Sequence, residues 1–519
     1  MSVTREGAVM GTRIAASDLT WLLMDRPNNL MHVHGLMTFD ELPEWDALRS
    51  AIFDRVVTKY RVLSQIPVKR RGHWEWVDDP DFSIDRHVLR VVLPDGDPET
   101  LRSYVASQFS VPFDRTRPLW DMQLISGPEQ DRGGAMLSRF HHGLGDGIRL
   151  VQLLLGTCDP APDATPKKVG RSAEPGTGGP LSAVLHFAEH SIKDSIDALA
   201  HSGDLVVQAG RAVVATMNPL ELPHHLETAT EYLRHPTRII DALTEFTSDD
   251  NEMSNSWREV GRLLLHEKAD SGGAWSGHPD VDKGVAWTEG ISLEAIKKVA
   301  ATFDGTVNDT LMAAVSLALT DYLTERGVAD IHDLAWMMPV SLQPVDGSLP
   351  STLGNHFAVV LFSMPLGIVD PAELIGEIRG RTTRLKHSVE PALAFGVQKV
   401  IAEAPGDVAK RITDFFSNKT IGQLSNVPGP RAELTMVGAP VRTVLGWVPT
   451  SGDQPIGVCL FTYNGTVGVG VSSDTRMVPD PDRITTLIRS HIDRLIAAAE
   501  HAEAPTPTPT PTRRRASKS

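Results

Sequence analysis

The hydrophobic pattern changes period several times along the chain. Trp120, Met122 and Leu124 alternate with polar neighbours, "GPEQDRGG" turns the chain, and "AMLSRF" follows, which predicts two short strands in a hairpin. The next apolar run, "IRLVQLLLG", fits a buried helix, with a strand as the alternative over so short a length. Residues 159–180 carry Pro, Gly and charge at a density that defeats regular structure and so mark a boundary. Beyond them, "LSAVLHFAEHSIKDSIDALA" and "TEYLRHPTRIIDALTEF" repeat apolar residues at three-and-four spacing, as amphipathic helices do. From residue 282 strand and helix signals alternate again through "GVAWTEGISL", "LEAIKKVAATF", "LAWMMPVSL" and "NHFAVVLFSMPL", the pattern of a second α/β body. The expected division is therefore 1–158, a linker and helical insert over 159–281, a second domain over 282–503, and a Pro-Thr and basic tail over 504–519 that cannot build a core.

Composition narrows the function classes. A chain of 519 residues with net charge −15 and a pI near 5.7 lacks the basic face that nucleic acid requires. Cys158 and Cys459 are the only cysteines, too few for a secreted disulfide scaffold, which points to a reducing cytoplasm. Arg5, Glu6, Arg13 and Asp18 interrupt the N-terminal stretch, so it has no signal-peptide core. "TLMAAVSLALTDYL" is cut by Thr320 and Asp321 and reads as a buried helix rather than a membrane span. Any membrane contact is expected to be peripheral.

Chemistry concentrates at "RFHHGLGDGIRL", residues 139–150, where His141 and His142 precede Asp146-Gly147 on the predicted strand-to-helix corner. Moving an acyl group from a thioester to an alcohol needs a base for the hydroxyl proton and an acid for the leaving thiolate, and one neutral histidine serves as both. Asp146 can orient that base or brace the loop. Gly143, Gly145 and Gly147 would let the corner adopt backbone angles closed to other residues. A pair of corner histidines bonded to backbone is the structural alternative. The second pair, His224-His225, has no Asp at the same spacing and reads as a packing or surface feature. HExxH, GxSxG and GxxxxGK[ST] are absent, so metal, serine-hydrolase and P-loop chemistry lack their starting residues, and no cofactor is called for. "GTVGVG", 465–470, imitates a dinucleotide glycine pattern, but its Val alternation reads as a strand.

The HHxxxDG stretch is similar to the active-site motif of CoA-dependent acyltransferases, and the chain resembles the bacterial wax ester synthase/diacylglycerol acyltransferase family. The likeness runs through "SDLTWLLMDRPNNLMHVHGLMTFD", "RPLWDMQLISG" with Pro118 and Trp120, "GTVNDTLMAAVSLALTDYL" with Asn308, "MPVSL", "GNHFAVVLFSMPLG", "LSNVPGP" with Asn426, and "YNGTVGVGVSSDTRMVPD". It implies an α/β fold of two chloramphenicol-acetyltransferase-like domains joined by a helical linker, with substrates entering between them. It also implies acyl-CoA as donor and diacylglycerol or a long-chain alcohol as acceptor. In that reading His142 is the general base, His141 supports it, and Asp146 braces the loop, with Gly147, Pro118, Trp120 and Asn426 as motif support. Asn308 is either an amide donor to an acyl oxygen or the N-cap of its helix. His34, where the family pattern usually has Gly, and the single Lys283, where relatives show an Arg pair, depart from it; so does the long insert. The alternatives are a condensation-type domain acting on carrier-protein thioesters and a non-catalytic lipid-binding protein of the same fold. Insoluble acceptors imply work at an inner-membrane or lipid-droplet surface.

Overall fold

A computed structural model describes residues 11–129, 133–161, 275–341, 353–355, 357–387 and 417–503, with Leu349, Lys410, Thr413 and Asp414 between them. The helices expected over 181–270, most of the 159–180 linker, His224-His225 and the tail lie outside the described residues.

The first half runs β1 (Thr12–Arg13), α1 (Ala16–Met24), β2 (His32–Phe39), α2 (Trp45–Ile52), β3 (Gln65–Arg70), β4 (His73–Asp78), β5 (Val88–Val92), α3 (Pro98–Gln108), β6 (Trp120–Ser126), β7 (Gly134–His141), α4 (Gly147–Leu155) and β8 (Asp159–Pro160). The second runs β9 (Lys283–Ser292), α5 (Leu293–Thr302), α6 (Val307–Glu325), β10 (Leu334–Ser341), β11 (Phe357–Met364), α7 (Pro371–His387), β12 (Gly422–Pro428), β13 (Leu434–Met436), β14 (Ala439–Trp447), β15 (Ile456–Tyr463), β16 (Thr466–Asp474) and α8 (Pro481–Glu503). The expected hairpin forms as the antiparallel pair β6 and β7, with Trp120 opposite Phe140. "IRLVQLLLG" is helical, as α4, and "GTVGVG" enters strand β16.

Two large sheets carry the molecule. One has the order β5-β6-β7-β2-β14-β13-β8 and the other β11-β10-β12-β15-β16-β9, while β1-β4-β3 forms a small third sheet. Strands β13 and β14 belong to the second half of the chain but lie in the first sheet, where β14 pairs with β2 and sets Trp447 opposite His34. The second half therefore completes the first sheet. Residues of β6 are buried on both faces, because its polar positions lie under α3, where Asp121 takes the buried Arg139 guanidinium and Gln123 accepts from Tyr104. Helix α6 is buried along most of its length among α5, α7, α8 and the second sheet, which explains an apolar run that shows no polar face.

Candidate active site

The HHxxxDG corner is built as the pattern predicts. Strand β7 ends at His141, residues His142–Leu144 make one 3-10 turn, and α4 begins at Gly147 with Asp146 as its N-cap. The Asp146 carboxylate accepts from the Arg149 amide at 2.9 Å and faces the buried Arg149 guanidinium at 3.5 Å. None of the three glycines lies in the left-handed region, and Gly145 is extended, so special backbone angles do not explain them. Gly143 instead sits where a Cβ would meet Leu22 Cγ at 2.9 Å, under α1, so close packing excludes a side chain. Nothing crowds a Cβ at Gly147.

His141 and His142 have opposite surroundings. His141 Nδ1 accepts from the Gly143 amide at 2.9 Å, which fixes the proton on Nε2, and Nε2 donates to Asp25 Oδ2 at 3.1 Å. Both ring nitrogens are thus engaged. Asp25 is delivered by a helix stop: Pro27 disfavours helical geometry in the residue before it, so α1 ends at Met24 and Asp25 turns back to accept from the Met31 amide at 2.7 Å and from Arg115 at 3.2 Å. Burial alone would raise the Asp25 pKa, but the hydrogen bond from His141, helped by that from the Met31 amide, outweighs it and holds the carboxyl below the usual range.

The His142 ring makes no hydrogen bond to the described residues, although it is buried. It stacks on Trp21 of α1 at 3.9 Å between ring centroids and lies 5.5 Å from Phe357. Burial pushes its pKa down to about 4, and its own carbonyl and Asn355 oppose this only in part. The imidazole is therefore neutral at pH 7. Its backbone is held firmly: the amide donates to the Met31 carbonyl at 2.7 Å, and the carbonyl accepts from Asn355 Nδ2 at 2.9 Å.

Asn355 comes from the second half, in the segment before β11. Its Nδ2 also donates to Asp18 Oδ1 of α1 at 2.9 Å, and its backbone amide donates to the same oxygen at 3.0 Å. The Gly354 carbonyl accepts from the Asp146 amide at 3.3 Å. One short segment thus ties α1, the His142 turn and the start of α4 together. "SDLTWLLMD" and "GNHF" contained these contacts, but Asp18, Trp21, Asp25 and Asn355 were not singled out from sequence; their only signal was membership of those stretches.

The remaining sequence candidates fall into two groups. Pro118, Leu119 and Trp120 are buried; the Leu119 carbonyl accepts from the His141 amide at 3.0 Å, and Trp120 Nε1 donates to the Leu63 carbonyl at 2.8 Å. These residues position the strand end. Asn308 is not the N-cap of its helix: Thr306 caps α6, in a capping box with Asp309. The Asn308 carbonyl oxygen accepts from Asn426 Nδ2 at 2.8 Å, and its own Nδ2 contacts Met312 Sδ at 3.1 Å. No hydrogen bond among the described residues joins this pair to His142. His34 and Lys283, the two departures from the family pattern, line one common cavity. Among the described residues no group of His, Cys, Asp and Glu has the arrangement of a metal site.

Residues 14–244 match the wax ester synthase/diacylglycerol acyltransferase catalytic domain, and residues 353–495 match the WS/DGAT C-terminal domain. The chain belongs to the wax ester synthase/diacylglycerol acyltransferase family. As a member it is an acyltransferase. A Mycobacterium tuberculosis relative named as a diacylglycerol O-acyltransferase is 27% identical over 488 residues, covering 90% of this chain and 87% of that protein. The fold is similar to that of the solved wax ester synthase/diacylglycerol acyltransferase from Marinobacter aquaeolei VT8, with a TM-score of 0.61 and 19% identity over 94% of this chain and all of the other. The first condensation domain of the calcium-dependent antibiotic synthetase shares the fold at a TM-score of 0.55 and 11% identity, over 96% of this chain and 98% of that one. These likenesses establish the α/β fold of two acetyltransferase-like lobes expected from sequence.

Proposed function

We propose that the protein transfers a fatty acyl group from acyl-CoA to the hydroxyl of a diacylglycerol or long-chain alcohol, with His142 as the general base. The carrying observation is a buried imidazole, neutral at pH 7, held on the HHxxxDG turn with its Nδ1 making no hydrogen bond among the described residues. His142 takes the acceptor proton as the hydroxyl oxygen attacks the thioester carbonyl, and a tetrahedral intermediate forms. When the carbon–sulfur bond breaks, the imidazolium returns that proton to the CoA thiolate, so the enzyme ends unchanged. The Trp21 face, 3.9 Å away, favours the cation that appears transiently on the ring. His141 has both nitrogens occupied and supports the turn, while Asp146 braces the start of α4. Asn308 Nδ2, whose protein contact is a thioether, is the amide assigned to the acyl oxygen.

An acceptor panel with one labelled acyl-CoA tests this reading. Labelled triacylglycerol or wax ester supports it, and transfer to small amines alone, or to a carrier-protein substrate alone, refutes it. Purified protein that makes no ester from palmitoyl-CoA with any acceptor would favour a lipid-binding role.

The acceptor and product are insoluble, and no described helix is long and apolar enough to cross a membrane. Peripheral contact with a lipid surface is therefore part of the proposal. The basic tail residues Arg513, Arg514, Arg515 and Lys518 and the apolar Val184, Leu185, Ile192 and Ile196 are the sequence candidates, all outside the described residues. Deleting 505–519 should reduce low-salt flotation with anionic vesicles; absence of flotation by the intact chain defeats this part.

A further inference from the structure

A neutral base does not distinguish the hydroxyl of an acceptor from that of water. If water takes the acceptor's place, its oxygen bonds to the thioester carbonyl carbon, the carbon–sulfur bond breaks, and the proton held by His142 passes to the thiolate. The products are then a free fatty acid and CoA, and no ester forms. Transfer therefore requires that water be kept from the imidazole, a task for the surfaces around it rather than for the base itself.

Those surfaces are aromatic. Trp21 of α1 stacks on the His142 ring, with 3.9 Å between centroids and 21° between planes. Phe357 of β11 lies 5.5 Å from the same imidazole and 6.0 Å from Trp21, so the three rings form one cluster. Trp21 and Phe357 are each partly exposed, whereas His142 is only 7% exposed. The two carbon rings thus occupy surface that the imidazole would otherwise present to solvent. Among the described residues no polar group hydrogen-bonds His142 Nδ1, so the ring is surrounded by carbon and not by a polar network that would hold water.

The two rings come from opposite halves of the chain and are brought together by one joint. Asp18 accepts from the Asn355 side chain at 2.9 Å and from the Asn355 backbone amide at 3.0 Å. Trp21 follows Asp18 by three residues on α1, which puts both on one side of the helix, and Phe357 follows Asn355 by two. Strand β11 buries Ala358, Val360, Phe362 and Met364, and its alternation turns Phe357 to the other face. We propose that Trp21 and Phe357 form an aromatic cover that keeps water from His142 and so directs the acyl group to an alcohol instead of to water. The cover rests on the acyl-transfer reading. Its residues select the nucleophile, and neither exchanges a proton with substrate.

Two products measured in one reaction of the full chain test it. With labelled palmitoyl-CoA and either 1,2-dioctanoylglycerol or hexadecanol, labelled ester reports transfer and labelled palmitate reports hydrolysis. The comparison runs over wild type, Trp21→Ala, Phe357→Ala, Trp21→Phe and Leu374→Ala. Opening the cover should raise the palmitate-to-ester ratio about tenfold or more in either alanine variant. Trp21→Phe, which keeps an aromatic ring, should recover most of the wild-type ratio. Leu374→Ala disturbs the core of the other lobe and should leave the ratio unchanged, because a loss of structure lowers both products together. Thermal melts show which variants are folded, and if Trp21→Ala is not, Phe357→Ala carries the comparison. An unchanged ratio in the folded alanine variants, loss of both products together included, overturns the cover and leaves the transferase reading intact. An equal rise in Leu374→Ala, or wild type that yields palmitate as readily as ester, does the same. Wild type that makes no ester from either acceptor overturns the transfer reading and the cover with it.

Discussion

Asn355→Ala tests whether the second half of the chain positions the proposed base. The substitution removes two side-chain hydrogen bonds, each 2.9 Å long, one to the Asp18 carboxylate and one to the His142 carbonyl. A bond to a charged group is worth about 1.5–3 kcal/mol and one to a neutral carbonyl about 1 kcal/mol. The Asp18 oxygen keeps the residue 355 backbone amide at 3.0 Å, so the sum is an upper bound and the expected destabilisation is about 2–4 kcal/mol, read by urea unfolding. The catalytic effect is separate. The His142 turn retains its bond to the Met31 carbonyl but loses its tie to α1 through Asn355. Loosening of about 1 Å at a reacting group costs on the order of a hundredfold, so kcat should fall about ten- to a hundredfold with little change in KM for palmitoyl-CoA. Leu374→Ala, in the core of the other lobe at 0% exposure, is the control: it should cost a similar stability, about 2–5 kcal/mol, and leave kcat near wild type. Wild-type kcat in folded Asn355→Ala, or an equal kcat loss in Leu374→Ala, would refute the positioning role.

His142→Ala should lower kcat about two to four orders of magnitude in folded protein, and His141→Ala should cost less; near-normal turnover in the first sinks the base assignment. Acidification should act twice. Because His142 ionises near pH 4 in the free protein, kcat/KM should be flat from neutrality down to about pH 5 and fall tenfold per unit below about 4; an acid limb at 6.5 contradicts this. The same depressed pKa means that the unfolded chain binds a proton between about pH 6.5 and 4 while the folded chain does not. Stability therefore drops as pH falls through that window, by about 2 kcal/mol each for His142 and His34 between pH 7 and 5, and urea midpoints that do not change would disagree. Asp146→Asn should keep most of the helix cap and partial activity, whereas Asp146→Ala should lose about 1 kcal/mol of capping along with activity; complete inactivity in both at full stability would favour direct chemistry by the carboxylate. Asp25→Ala removes the acceptor for the His141 Nε2 proton and should change the ring nitrogen shifts of His141 in NMR spectra, with unaltered shifts counting against the fixed tautomer.

Local pattern carried much of the design. Alternation over 119–126 and a turn-rich gap made the β6–β7 hairpin readable, three-and-four spacing made α4 readable, and the spacing of His141, His142 and Asp146 located the corner between them. Each depends on residues a few positions apart, where side-chain direction follows from backbone period alone. The Thr306 cap was missed because Asn308 is an equally plausible capping residue type, and only the position of the first helical turn distinguishes them.

By itself, then, the sequence determined the family, the two-lobed α/β class and the turn that carries the histidines. The tertiary structure decided how that turn is held and charged. Asp25 meets His141 across 116 positions and Asn355 meets His142 across 213, and strands β13 and β14 return from the second half to complete the first sheet. No periodicity encodes such contacts, because they depend on how whole elements pack. The neutral states of His142, His32 and His34 are likewise products of burial: the same side chains in water would titrate near 6.5, and only the closed interior lowers them.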